Sequence, residues 1–493
     1  MIKNKRWVKP YLYCLGIAFL FLMVCSKNSF LYRINDWVDA NAFFTVGKGM
    51  VRGVVPYQSL FEQKGPLLYL IYGIGSLISY KSFFGVFLLE VISFSVFLYY
   101  TYKIITLFFE AKKAYFVIPI FTLCIVTLGS FSHGGSVEEF SLSLFMVSFY
   151  HLISYLKDKD VMISRKTVLL TGILAGCILW MKYTLLGFWF GWMMCVFVLQ
   201  CYNKQYKVAF QNCFIYLFGM LLATIPWMIY FGIHHALGDL WNVYFIVNMN
   251  AYSSAGTFID KIVETFALLF HNLFGSLPTF LGIVIGFFLL FKKGDKWGKA
   301  GANATLFTCM LTTGIFIYIG GTSFHYYPFV LTPFILIGFL ELLSYTSKQE
   351  WNLSNAWCIL FSFLALYTIC GNTRMVKWSK DDYAQYRFAE IIEKSEDKTL
   401  LNYGFLDGGF YTTTGIIPEY YYFMKNNIDY ERYPEMMDEQ KSYIREKKPH
   451  FVVTQKENPV GLPTFSKDYK LIDSHTQRYQ TRTMTYFLYE RKA

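Results

Sequence analysis

The stretch Arg33-Ile34-Asn35-Asp36-Trp37-Val38-Asp39-Ala40-Asn41-Ala42-Phe43-Phe44 decides how this chain is read. It follows an apolar run, Tyr11 to Val24, that is preceded by Lys3, Lys5, Arg6 and Lys9. Basic residues ahead of a first apolar run stay in the cytoplasm, so the stretch emerges at the opposite face. No A-x-A-like cleavage site follows the run, and the expectation is an uncleaved anchor. Asp36 and Asp39 then fall in the first turn of a predicted helix, Asp36 as its N-cap and Asp39 at its third position. Beyond them Phe43, Val46, Met50, Val51 and Val54 recur at i, i+3, i+7, i+8 and i+11, the stripe of an interfacial helix. Gly53 and Pro56 end it.

Working outward, the whole chain reads as membrane protein. Of its 493 residues 55% are hydrophobic, 20% aromatic and only 16% charged, against roughly 25% charged in soluble domains. Apolar runs long enough to cross a bilayer core recur through the first 370 positions. The net charge of +12 does not point to nucleic acid. From Gly371 onward 19 Lys and Arg face 18 Asp and Glu, which leaves +11 for the preceding part. There the excess sits in short loops, as the positive-inside rule requires. None of the ten cysteines lies beyond Cys370. Most fall in apolar runs, and buried thiols without disulfides are expected.

Basic clusters at Lys3 to Lys9, Lys103/Lys112/Lys113, Lys157/Lys159/Arg165/Lys166, Lys204/Lys207, Lys292/Lys293/Lys296/Lys299 and Lys348 alternate with poorly basic loops near 131–139, 233–257 and 320–327. About eleven spans result: 10–26, 84–108, 114–131, 140–156, 167–181, 184–201, 209–231, 275–291, 303–320, 328–346 and 354–370. The amino terminus and Ser164 are then cytoplasmic, while Gly256 and Ser379 face outward. Arg33, Lys48, Arg52 and Lys64 break the rule by falling in the first outer loop, 27–81, which suggests that they bind an anion. In that loop Pro66 to Ser79 is too short to span comfortably and reads as a second surface helix opened by proline. The fold class is an all-α polytopic membrane protein with a small C-terminal α/β extracytoplasmic domain. The boundary falls between 1–370 and 371–493. Strands are predicted at Thr399–Tyr403, His450–Thr454 and Thr483–Tyr489, with a helix over Tyr433–Lys448.

The run from Asp39 to Met50, followed by Val55-Pro56-Tyr57 and Lys64-Gly65-Pro66-Leu67, resembles the first outer loop of GT-C glycosyltransferases. The likeness is to the branch with the aminoarabinose transferases and the protein O-mannosyltransferases (glycosyltransferase family 39-like). Members of that branch have a catalytic Asp at the head of this helix and a Lys-Pro-Pro motif at the next. Glycine replaces the first proline here, and Asp39-Ala40 stands where Asp-Glu is usual. The resemblance implies a sugar donor on polyprenyl phosphate, an acceptor glycan, wall polymer or lipid on the outer face, and an inverting displacement.

In that chemistry Asp39 is the candidate general base, and Asp36 is either a cap or a second carboxylate. Lys64, Lys182 and either Arg33 or Arg52 are candidates to stabilise the leaving phosphate, though Lys182 equally reads as snorkelling to head groups. Glu138 and Glu139, in Ser132-His133-Gly134-Gly135-Ser136-Val137-Glu138-Glu139, either cap the fourth span or join the site. A carboxylate from each loop could hold a divalent cation. His325 and Tyr326 read as cavity residues, Tyr327 as part of an aromatic belt. Glu90, inside a span, is either functional or paired with a neighbouring helix. No Walker loop, zinc pattern, G-x-S-x-G or dinucleotide fingerprint occurs. The rival classes are a flippase or transporter of lipid-linked sugar and a non-catalytic envelope assembly partner.

Overall fold

The computed structural model describes residues 7–158, 162–251, 257–293, 298–346, 354–457, 459, 462–479 and 483–492. Lys3, Lys5, Arg6, Lys159, Lys296, Lys348 and Gly256 lie outside the described residues. The first nine helices of length are α1 (Val8–Cys25), α2 (Val38–Met50), α3 (Pro66–Ile78), α4 (Phe84–Phe108), α5 (Ala111–Val126), α6 (Val137–Lys157), α7 (Arg165–Leu179), α8 (Gly187–Tyr202) and α9 (Tyr206–Ile233). Further helices cover Phe258–Gly275, Leu277–Lys293, Ala302–Tyr318, Ile335–Tyr345 and Asn355–Ile369. Every predicted span coincides with a helix. Among the described residues six helical segments are long and apolar enough to cross a membrane, and a seventh is if Ile259–Gly275 and Leu277–Lys293, bent by 103°, form one span. The other predicted spans are helices of 15 to 17 residues. The protein is a multi-pass membrane protein.

The chain divides into two compact units. The first comprises Met1–Cys25, Glu90–Ile229 and Ser253–Cys370. In it α7 and α9 meet through small residues: a Cβ on Gly219 would come within 2.5 Å of the Leu169 carbonyl, and one on Gly176 within 2.6 Å of the Ala223 methyl. Without water to expel, helices in lipid associate by such close packing. On its far side α9 exposes Phe210, Phe214, Leu217, Phe218 and Leu221, a row that acyl chains cover. All ten cysteines are free.

The second unit comprises Ser26–Leu89, Tyr230–Tyr252 and Gly371–Ala493. The C-terminal segment therefore shares a core with the first loop, and the predicted boundary at 370 is only one edge of this unit. Its four-stranded sheet has the order β1-β2-β4-β3, from β1 (Leu400–Asn402), β2 (Phe451–Thr454), β3 (Tyr469–Arg478) and β4 (Thr483–Arg491). β1 and β2 run parallel; β4 is antiparallel to both of its neighbours. Three strands and the helix Pro434–Arg445 answer to predicted elements. β3 does not, because its sequence YKLIDSHTQR is polar with few β-branched residues.

Two expectations for the first loop are corrected. The N-cap of α2 is Trp37, without a side-chain cap, and not Asp36. Nor does α2 lie on a membrane surface: every residue from Ala40 to Met50 is buried. The apolar stripe was read correctly, but the opposite face carries a second, polar stripe of Asn41, Thr45 and Lys48. These find partners in a strap, residues 407–412. Thr45 Oγ1 donates to Asp407 Oδ2 (2.6 Å), Lys48 Nζ to the Tyr411 carbonyl (2.7 Å), and Thr412 Oγ1 to Asn41 Oδ1 (2.9 Å). Backbone crosses backbone between α2 and α3, where a Cβ on Gly73 would sit 2.6 Å from the Gly47 carbonyl oxygen. With 13 residues, α3 is about 20 Å long, short of a roughly 30 Å hydrocarbon core. It buries Leu68, Tyr69 and Tyr72 and exposes Ile74, Leu77 and Ile78.

Candidate active site

In the second unit the site is built on the start of α2. Asn35 shapes the approach: its Oδ1 accepts from the Trp37 amide, and its carbonyl accepts from the Asn41 side chain. Asp39 follows as the second helical residue, partly buried, in the first turn. There the helix dipole favours a carboxylate. Phe43, four residues on, shares its face. The Lys64 ammonium lies 5.7 Å from the Phe43 ring centroid. The structure thus brings Lys64 to the Asp39 face of α2.

The backbone around Lys64 is held on every side. Its amide donates to Glu62 Oε2 (2.8 Å) and to the Tyr69 hydroxyl (2.9 Å), while Tyr69 donates to the same Glu62 oxygen. Tyr57 Oη donates to the Lys64 carbonyl at 2.5 Å, and Asn248 Nδ2 to the Gln63 carbonyl at 2.8 Å. Glu62 Oε1 is 4.0 Å from the Lys64 ammonium. Tyr57 has φ 68°, a strained region for a bulky residue, and is fixed there by packing on Tyr69 and Tyr244. Burial drives the Tyr57 and Tyr69 hydroxyls well above the usual tyrosine range, so both remain donors. Glu62, Tyr69, Tyr57 and Asn248 escaped the sequence reading. Glu62 stands two residues before a candidate lysine, which is a usable signal, but nothing local marks Asn248.

The other first-loop candidates lie elsewhere. Asp36 is committed to a buried ion pair with Lys27, at 2.5 Å with side chains 7% and 2% exposed. Arg52 lies past the opposite end of α2. Its guanidinium donates to the Lys48 carbonyl (3.2 Å) and stacks 4.2 Å from the Tyr80 ring. The rest of α2, Ala40 to Met50, separates it from Asp39, a distance of about 20 Å. Lys48 is wholly buried. Burial lowers its ammonium to about 7, opposed by Asp407 and reinforced by Arg52 and Lys81. Burial likewise pushes the Asp407 carboxyl up to about 6, against the bonds from Thr45 and Gly409 and the charge of Lys48.

In the first unit a second cluster forms at the head of α6. Two successive glycines with positive φ, Gly134 (84°) and Gly135 (76°), turn the preceding loop. Ser136 is the N-cap and accepts from the Glu139 amide (3.0 Å), while Glu139 Oε2 accepts from the Gly135 amide (2.7 Å). Glu139 therefore caps, and its carboxyl also meets that of Glu90. Glu90, buried on α4, faces this carboxyl. Glu138 does something different. Its Oε1 accepts from the Lys182 ammonium at 2.7 Å. Its Oε2 is buried without a hydrogen bond among the described residues.

Lys182 is itself buried and does not snorkel to head groups; the carboxylate of Glu138 draws it inward. Its Nζ lies 3.7 Å from the Tyr327 ring centroid and 5.6 Å from that of Tyr326. Tyr327 is buried under this cation, so it is not a belt residue. His325 packs edge-on to His133, with centroids 6.1 Å apart. One group therefore collects Glu138, Lys182, His325 and Tyr326 from the predicted set. Among the described residues no group of three or more His, Cys, Asp or Glu is arranged to hold a metal ion.

No protein-family model matches the sequence, and no curated protein sequence matches it. Solved structures do. ArnT from Cupriavidus metallidurans bound to undecaprenyl phosphate is similar over 98% of both chains, with a TM-score of 0.59 and 11% identity. The apo state of the same protein gives 0.61 and 11%, over 98% of this chain and 97% of that one. The chain therefore shares the fold of ArnT, that of a polytopic helical membrane protein with a small C-terminal α/β region, as expected of it.

Proposed function

We propose that this protein is a membrane glycosyltransferase that moves a sugar from a polyprenyl-phosphate donor to a glycan, wall polymer or lipid acceptor on the outer face. The observation that carries the reading is an ammonium placed over the face of α2 that carries a carboxylate: Lys64 lies over Phe43, and Asp39 stands one turn before Phe43 on the same face. The fold shared with a protein that binds undecaprenyl phosphate supports the donor class. In the reaction an acceptor hydroxyl attacks the anomeric carbon, and Asp39 takes the hydroxyl proton. The bond from that carbon to the phosphate oxygen breaks, and its electron pair stays on the phosphate. Lys64 meets the charge that builds there, which lowers the barrier. Because phosphate leaves readily, one base and a cation suffice, and the anomeric centre inverts.

Asp39→Asn keeps the shape and removes the base. Transfer from a short-chain polyprenyl-phosphate sugar by the purified variant is expected to fall by about 100-fold or more, with normal expression. A wild-type rate would overturn the mechanism. A second reading, a transporter of lipid-linked sugar, is favoured by one observation, the helix pair bent by 103°, since broken helices are a transporter feature. It predicts that Asp39→Asn still moves lipid-linked sugar across vesicles and that neither form makes a glycosylated product.

A further inference from the structure

Of the four cations that break the charge rule in the first loop, three are accounted for. Lys48 is buried against the strap, Arg52 holds the end of α2, and Lys64 faces the Asp39 side. Arg33 is the remainder. It is exposed, and its guanidinium has no carboxylate partner among the described residues. It lines a cavity of about 650 Å³ within the second unit, a volume in the range of small-ligand pockets.

The lining is informative. Lys380 contributes a second ammonium, 5.2 Å from the Tyr386 ring and without a carboxylate partner among the described residues. Two more lysines at the wall are neutralised, Lys81 by Glu393 at 2.5 Å and Lys27 by Asp36. Glu390 is a further lining carboxylate. Phe30, 52% exposed, packs edge-on to Phe84, 37% exposed, at 6.4 Å. Phe30 lies five residues beyond the end of α1 and Phe84 opens α4. Both helices are apolar enough to span, so this wall belongs to the membrane boundary. Unneutralised cations beside exposed aromatic rings at that level suit an anion carried on acyl chains. Glu390 suits a hydroxyl donor on the same head group.

We propose that this cavity binds the head group of an anionic membrane lipid: a phosphate carrying a polyol, held by Arg33 and Lys380. The proposal stands apart from the transferase reading, and its readout is binding. The full chain, purified in detergent, is titrated with phosphatidylglycerol, phosphatidylcholine or inorganic phosphate and followed by native mass spectrometry and thermal unfolding. Phosphatidylglycerol is expected to be retained and to raise the melting temperature more than the other two. The double variant Arg33→Gln, Lys380→Gln should bind it about tenfold more weakly or worse, as loss of charge-assisted contacts dictates. Arg33→Lys should keep most of the affinity, and Lys394→Gln, an exposed lysine outside the cavity, all of it. Equal binding by the double variant, or equal retention of phosphatidylcholine, would overturn the proposal. Inorganic phosphate binding as tightly as the lipid would assign the cavity to a soluble anion instead, and the lipid assignment would fall.

Discussion

At the scale of single residues the two candidate lysines differ in how they are held. Lys182 is locked against Glu138, both side chains nearly inaccessible, whereas the Lys64 ammonium is partly open and 4.0 Å from Glu62. Lys64→Ala is expected to weaken donor use strongly and leave acceptor dependence unchanged. Lys64→Arg should keep partial activity, because the charge survives while the geometry shifts. Steady-state transfer with donor and acceptor varied separately distinguishes these outcomes, and unaltered donor dependence in Lys64→Ala would remove Lys64 from the site. Glu138→Gln has a different signature. It leaves a buried ammonium without its counter-charge, which costs about 3–5 kcal/mol of stability, so its melting temperature should fall before activity is considered. That Asp39 stands in the first turn of one helix and Glu138 in the first turn of another was legible in the sequence, because acidic residues just ahead of an apolar run mark a helix start. The partner of Glu138 was not, since Lys182 is 44 positions away and a lone lysine between apolar runs looks the same paired or snorkelling.

At the scale of elements α2 is the telling case. Its apolar period was visible, and from it an interfacial helix was expected. The polar positions Asn41, Thr45 and Lys48 are spaced i, i+4, i+7 and share a face as well, but a polar face reads as solvated unless its partner is known. That partner, the strap, is 362 residues away for Thr45 and Asp407. The titration of Lys48 exposes the strap's grip. Its ammonium is held at about 7 in the folded protein against 10.5 for the free group, so the fold favours the neutral amine. Such a depressed group adds stability that is fully present above the unfolded value and lost as pH falls through the folded one. The wild type should therefore gain stability relative to Lys48→Met as pH rises from about 7 towards 10.5. Thermal unfolding of both proteins at several pH values checks this, and a difference that is flat with pH would contradict it.

At the scale of the whole molecule the helical spans were the most legible feature, because bilayer thickness constrains their length directly. The composition of the second unit was not, since no local pattern reports that three separate stretches close one core. Orientation is tested by labelling. Ser164→Cys should resist an impermeant maleimide in intact cells while Ser379→Cys reacts, in a chain stripped of native thiols; labelling of Ser164→Cys would reject the arrangement. The scattered second unit also has a temporal side. A ribosome adds about 5–20 residues per second, so Thr45 leaves it about 20 to 70 seconds before Asp407 exists to meet it. Through that interval the newborn α2 carries Asn41, Thr45 and Lys48 without their mates. The nascent chain thus passes through a long vulnerable age, open to chaperones and proteases alike, and a stop codon anywhere before the strap leaves it permanently unfinished.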